Sequence, residues 1–351
     1  MTKPRVMYVL SQYPQISETY IKTEIDALRD DYEIRVISID GADLPYKNCY
    51  PYRQISDPAQ ICEAIEEFRP HVLHAHWIIF NTRTLADMAR KTNTPFTIRA
   101  HSFDSIWKKP PLLDRVRGKN LAPTHILDAV PLVNDDLCLG VLAFPFVLPH
   151  FEKVGMRGDK LHACYPVVNY ALFHDRSPNG AAVMNTGACL PKKQFEIYLE
   201  LAKSLPGTEC NLYAMGYDVE RIRKLNEEMG RPVNMMPPTE HDDMPREYKK
   251  HRWLVYTASR EIGTVGWSLS IAEAQASGVG VCAPNLRPDI KEYVGNCGFI
   301  YDSISEVRDI ITKPFPEEMR QNGFDHARKS DIQNHKHLLT NLWRKAIPKG
   351  L

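Results

Sequence analysis

A chain of 351 residues is long for one domain and comfortable for two of about 150–180 residues. Its 43% hydrophobic and 25% charged residues suit a globular enzyme, and the net charge of +1 gives no electrostatic argument for nucleic acid. No apolar run approaches the roughly 18 residues that a membrane span needs.

The start, MTKPRVMYVLSQYP, carries too short an apolar run for a signal-peptide core. The eight cysteines are scattered without a C-x-x-C pair, as reduced core thiols would be. A cytoplasmic protein is expected, with a peripheral seat on a membrane surface left open. Short basic clusters at Lys108–Lys109, 115–119 and 249–252 read as solvated faces.

In chain order, RVMYVL (5–10) has the pattern of a short buried strand. SETYIKTEIDAL then starts a helix with Ser17 as N-cap, and Ile21, Ile25 and Leu28 form one apolar face. YEIRVISI (32–39) is the next strand, a helical stretch covers 58–68, and HVLHAHW (71–77) is the third strand. A helix at about 81–92 leads to FTIRAH (96–101), the fourth strand. Around 165–180 the Pro, Asn and Gly of YPVVNYALFHDRSPNG mark a linker. Alternation resumes with AAVMNTGA, KQFEIYLELAKSL, ECNLYAMG and DVERIRKLNEEM. It continues through a strand at 253–258, a helix at 268–277 and a strand at 279–284, and 316–345 is helical. Strands alternating with helices imply βαβ units and parallel sheets.

Ligands of two such domains are expected at the C-terminal ends of strands, in a cleft between the domains. Four post-strand loops therefore matter: SQYPQISET (11–19), RAHSFD (99–104), GACLPKK (187–193) and SREIGTVGWSLSIAEAQASG (259–278). In the last, a helix beginning near Ser268 presents unpaired N–H groups that favour an anion by roughly 0.3–1 kcal/mol. Gly266 admits a phosphate close to the backbone, and Glu273 is placed to accept hydrogen bonds from a ribose diol. His74 and His76 share a strand face, but no third ligand follows at useful spacing, so no metal is expected.

The segment VGWSLSIAEAQASGVGV resembles the donor site of retaining glycosyltransferases of family 4, which have the GT-B fold: two Rossmann-like α/β domains facing a central cleft. LSQYPQISETYIKTEIDAL, HVLHAHW, FTIRAHSFD, YPVVNYALF and GACLPKKQF extend the resemblance in order over nearly the whole chain. The resemblance implies an acceptor-binding domain over 1–172, a nucleotide-sugar domain over 173–325, and a final helix over 326–351 crossing back. It implies that Glu273 binds the ribose, that Lys193 (or its neighbour Lys192) neutralises the diphosphate, and that the Ser268 and Leu269 amides touch phosphate. Gly266 and Trp267 belong to the same donor segment. His101 would stand beside the reacting sugar, with Tyr13, Ser17 and Glu18 on the acceptor side.

Two positions depart from the family pattern. Ala188 stands where an arginine is usual, and Val265 where the first glutamate is usual; Arg260 and Glu261 are the candidates to substitute. The expected partners are a nucleoside diphosphate sugar, as donor substrate, and a hydroxyl acceptor, with no cofactor. The rival readings are a degenerate, non-catalytic GT-B binding protein and a DNA-modifying glycosyltransferase.

Overall fold

The computed structural model describes residues 3–102, 104–106, 124–262 and 264–348, without the side chains of 79–81. The clusters at Lys108–Lys109 and 115–119 lie outside the described residues. The chain forms two compact units, one of residues 1–166 and 332–351, the other of residues 167–331. The sequence reading put these boundaries at 172 and 325.

The first unit holds a seven-stranded sheet of β1 (Arg5–Gln12), β2 (Glu33–Asp40), β3 (Tyr52–Gln54), β4 (Val72–His76), β5 (Phe96–Arg99), β6 (Cys138–Ala143) and β7 (Leu161–Ala163). Its spatial order is β3-β2-β1-β4-β5-β6-β7 and every pair is parallel. β4 and β5 are buried along their whole length, which is what a sheet covered by helices on both faces requires.

The second unit repeats the plan with β8 (Ala182–Ala188), β9 (Cys210–Met215), β10 (Asn234–Met235), β11 (His251–Val255), β12 (Gly280–Pro284) and β13 (Gly298–Tyr301). The order is β10-β9-β8-β11-β12-β13, again parallel throughout. Phe195, Tyr198 and Leu199 pack against Trp253, Val255 and Cys282 in a core on one face of this sheet. The chain thus has a GT-B type fold, two Rossmann-like α/β units.

Several local expectations shift. The helix Pro58–Phe68 matches its sequence signal, because Asp57 caps it by accepting from the Ala59 N–H at 2.9 Å and Pro58 occupies the first turn. The first helix starts at Thr19, not at Ser17: Glu18 takes the N-cap position, its carboxylate reaches the Trp77 indole instead of capping, and Ser17 is exposed. The strand expected at 253–258 begins earlier and ends at Val255. Lys249 is not on a solvated face. Its Nζ turns inward to the carbonyls of Asp175 and Ser177 and to Asn179 Oδ1.

The C-terminal stretch is two helices, Glu317–Ala327 and Ile332–Trp343, with a 3-10 turn at Arg328–Ser330 between them. The second helix belongs to the first unit, where fully buried Trp343 packs edge-on against Tyr8 and Tyr32 and donates to Thr97 Oγ1 at 2.9 Å. Removing that ring leaves a cavity over the centre of the sheet and an unfilled hydrogen bond. Trp343→Ala should cost about 3–5 kcal/mol, read by urea unfolding; a loss below about 1 kcal/mol would mean the last helix is peripheral to the unit.

Candidate functional site

Where the winding of a parallel sheet reverses, the loops leaving two adjacent strands diverge and open a crevice. In the second unit this point lies between β8 and β11, and most of the expected donor residues collect there. Gly187, at the end of β8, has φ +140°, a conformation reserved for glycine. A side chain there would reach 3.9 Å from Lys193 Cε and Nζ, which places the lysine head beside that strand end. Lys193 closes the 3-10 turn Pro191–Lys193; its Nζ donates to Tyr256 Oη at 2.6 Å and lies 4.3 Å from the centre of that ring. Burial pushes its pKa down to about 7.

The loop is stitched to the segment after β11. Ser259 N donates to the Lys192 carbonyl at 2.8 Å, Thr257 Oγ1 to the Lys193 carbonyl at 2.7 Å, and Lys192 Nζ to the Thr264 carbonyl at 3.3 Å. Burial raises the Tyr256 phenol, and the Ser268 side chain at the start of the helix Leu269–Ala276 partly offsets that rise. Ser268 sits at the N-cap of this helix but its hydroxyl pairs with Ser270 Oγ at 2.8 Å rather than with a first-turn N–H. The N-terminal amides of this helix are therefore not capped by its own side chain.

Glu273, in the same helix, is buried and accepts from the Tyr248 hydroxyl at 2.8 Å, with His241 Nε2 3.8 Å from its other oxygen. Burial pushes its pKa up to about 7, against the Tyr248 hydrogen bond that pulls it down. Trp267 is also buried: it stacks on Tyr293 at 4.9 Å and donates to Asp289 at 2.8 Å, so it shapes the loop from below. Val265 and Gly266 are buried, and the Val265 carbonyl is held by Arg287 Nη1 at 2.7 Å. Arg260 is exposed and paired with Asp302 and the Tyr301 carbonyl at the end of β13. Glu261 is exposed in the turn after Ser259, and among the described residues no hydrogen bond or ion pair draws it toward Lys193. Ala188 ends β8 half-buried.

In the first unit the corresponding point lies between β1 and β4. His101 follows β5, buried, with its ring 4.2 Å from Tyr20 and 4.4 Å from Trp77. Its backbone N–H donates to Asp104 Oδ1 at 2.8 Å, and the other Asp104 oxygen accepts from Ile78 N at 2.6 Å. Asp104 thereby ties the end of β5 to the start of the helix Ile78–Thr92. Trp77 adopts φ +73°, ψ +122°, a strained state for a bulky residue of the sort that clusters at functional sites. Its indole donates to Glu18 at 3.1 Å, and burial raises the Glu18 carboxyl to about 7. Tyr13 is buried between Tyr46 and Tyr52 and accepts from the Tyr50 N–H at 2.9 Å, a brace for the 46–52 loop. Ser17 is exposed and touches none of these.

Beneath His101 lies a group that spacing did not suggest. Glu24 Oε2 receives Arg99 Nε at 2.9 Å and Nη2 at 2.5 Å. Glu24 Oε1 has Tyr8 Oη at 3.0 Å, His74 Nε2 at 3.0 Å and His76 Nε2 at 3.3 Å. Burial would raise the Glu24 carboxyl, but Arg99 and His74 outweigh it and hold it well below the carboxylate range. Glu24, His74 and His76 are a metal-capable trio, the third group coming from a helix rather than from the strand. The Arg99 guanidinium already neutralises that carboxylate, so a dication there would face an adjacent buried cation. The eight cysteines are free and six are buried. Among the described residues no helix is long and apolar enough to cross a membrane.

No protein-family profile matches the chain, and no curated protein matches its sequence. Solved structures do match in fold. HepE of Anabaena, determined with UDP and glucose, aligns at a TM-score of 0.73 and 14% identity over 97% of this chain and 100% of that one. Sucrose-phosphate synthase from Thermosynechococcus elongatus aligns at 0.74 and 12% identity over 97% and 98%. The lipopolysaccharide outer core galactosyltransferase WaaB aligns at 0.62 and 11% identity over 96% and 99%.

The titration of Glu273 is testable by itself. An acid whose folded pKa exceeds its unfolded value keeps its proton longer in the native state. Its contribution is most favourable below about 4.5 and falls as pH rises to about 7. Wild type should lose roughly 3 kcal/mol across that window relative to Glu273→Gln, measured by urea unfolding at both ends; parallel pH slopes would remove the buried-acid assignment. At these identities the likeness is one of architecture, and the chain shares the fold of these glycosyltransferases.

Proposed function

We propose that the chain is a retaining glycosyltransferase that moves a sugar from a nucleoside diphosphate donor to a hydroxyl acceptor. The observation that carries this is the grouping at the end of β8 and β11 of a lysine head, a glycine strand end and a helix start whose N-cap serine leaves its amides uncapped. It is an anion site of diphosphate character. The resemblance of the donor segment and the structures solved with UDP and UDP-glucose point the same way.

In this reading Lys193, with pKa about 7 when the site is empty, takes up or keeps a proton as the diphosphate binds. It then stabilises the charge that develops as the sugar–phosphate bond breaks. Ser268 and Leu269 amides share that charge. Glu273, ionised, turns from Tyr248 to the ribose hydroxyls. The bond from the anomeric carbon to the phosphate oxygen breaks as the acceptor oxygen attacks, and the acceptor's proton passes to the departing phosphate. His101 and Glu18 serve the sugar and its acceptor. The reaction needs positioning and charge stabilisation more than a side-chain nucleophile.

A second reading, a GT-B protein that binds nucleotide without transfer, is favoured by buried Val265 and by Arg260 being committed to Asp302. Calorimetry with UDP and a UDP-glucose hydrolysis assay separate the two. Glu273→Gln should weaken UDP binding by about 1.5–3 kcal/mol, the range for hydrogen bonds to charged groups. Lys193→Ala should cut turnover at least tenfold while the protein stays folded, and Glu261→Gln should lower turnover alone if Glu261 replaces the acid absent at 265. UDP binding as tight in Glu273→Gln as in wild type sinks the donor-site assignment. Binding without turnover in wild type favours the second reading.

A further inference from the structure

The ring nitrogens of His76 and His101 are 3.0 Å apart (Nδ1 to Nε2), so one must carry hydrogen and the other a lone pair. Which is which follows from Glu24. That carboxylate is ionised, being gripped by Arg99 at both Nε and Nη2, and it can only accept. His76 Nε2, 3.3 Å from Glu24 Oε1, therefore carries its hydrogen. A second positive charge on His76 is unfavourable where Arg99 already balances Glu24 and the ring is wholly buried. Neutral His76 then offers a lone pair at Nδ1, and His101 must donate to it from Nε2. Among the described residues Nδ1 of His101 takes no hydrogen bond, so its lone pair is left available.

The same logic runs down the other side. His74 Nε2 lies 3.0 Å from Glu24 Oε1, and His74 Nδ1 lies 2.8 Å from Thr97 Oγ1. That hydroxyl accepts from Trp343 Nε1 at 2.9 Å and so has its own hydrogen free for His74 Nδ1. The two histidines thus flank one ionised carboxylate, and Thr97 fixes the far nitrogen of His74. Stacking of His76 on His101, at 5.2 Å and 18°, keeps the two rings in register.

We propose that Glu24 and His76 are positioning residues that hold His101 as its Nε2–H tautomer, so that Nδ1 meets the substrate as a hydrogen-bond acceptor for a sugar hydroxyl. The inference about substrate rests on the glycosyltransferase reading; the tautomer does not. A fixed acceptor matters because an imidazole that swaps tautomers carries hydrogen on Nδ1 part of the time, and in that form Nδ1 cannot accept from a sugar hydroxyl.

The test is long-range 15N–1H correlation NMR on the full-length protein with 15N-labelled histidine, the His101 signals being assigned by their loss in His101→Gln. In wild type His101 should show a pyrrole-like Nε2 and a pyridine-like Nδ1. In His76→Phe, which keeps a ring in place, both nitrogens should move toward averaged shifts. Turnover of UDP-glucose in that variant should fall at least tenfold with KM changed less than threefold. A protonated Nδ1 in wild type, or an unchanged tautomer in His76→Phe, overturns the relay. If His76→Phe fails to fold, the wild-type spectrum still decides. If wild type turns over no UDP-glucose, the enzymatic reading is what suffers, and the tautomer result judges the relay separately.

Discussion

A wholly parallel sheet wound to both sides of one strand must open where the winding reverses, because the crossovers from the two central strands leave toward opposite faces. Both units obey this constraint, with reversals at β1/β4 and β8/β11. The chain concentrates its unusual features at these two points. Glycine at φ +140° ends β8, tryptophan at φ +73° follows β4, and the half-buried or buried ionisable groups Lys193, Glu18 and His101 stand beside them.

The two points are provisioned differently. The second unit gathers backbone and one cation: a helix start that its own serine leaves uncapped, a glycine strand end and a lysine whose charge burial disfavours. The first unit instead carries a buried network in which one carboxylate accepts from an arginine, a tyrosine and His76, with His74 Nε2 3.0 Å away. Breaking such a pair by removing one partner typically costs about 3–5 kcal/mol. That network reaches His101 through the ring of His76, 3.0 Å from nitrogen to nitrogen.

Much of this was legible in the sequence where the signal is local. Asp57-Pro58 starts a helix by capping and preset φ, and Gly187 and the lysines after it announce a loop beyond a buried strand. The loop after β8 and the helix at 269–276 could be placed because glycine and proline after a buried strand are local signals. What could not be read depends on contacts between distant residues. Glu24 looks like any helix acid until Arg99, 75 residues later, lies against it. Trp267 stands in the expected donor segment, but Tyr293 covers its face. Ser17 has better cap chemistry than Glu18, but Trp77 draws the Glu18 side chain away and the helix starts after it. β3, β6, β7, β10 and β13 stand outside the elements read from sequence; β3 and β7 are three residues long and β10 two, too short for a periodic signal.

The central claim is that the second unit holds a nucleoside diphosphate at the end of β8 and β11. Hydrogen–deuterium exchange with and without UDP tests it most directly. The account predicts slower exchange confined to residues 187–194 and 266–273, where amides and loop would close on the ligand. Protection absent from both segments, or appearing only at the opposite ends of these strands, would contradict it.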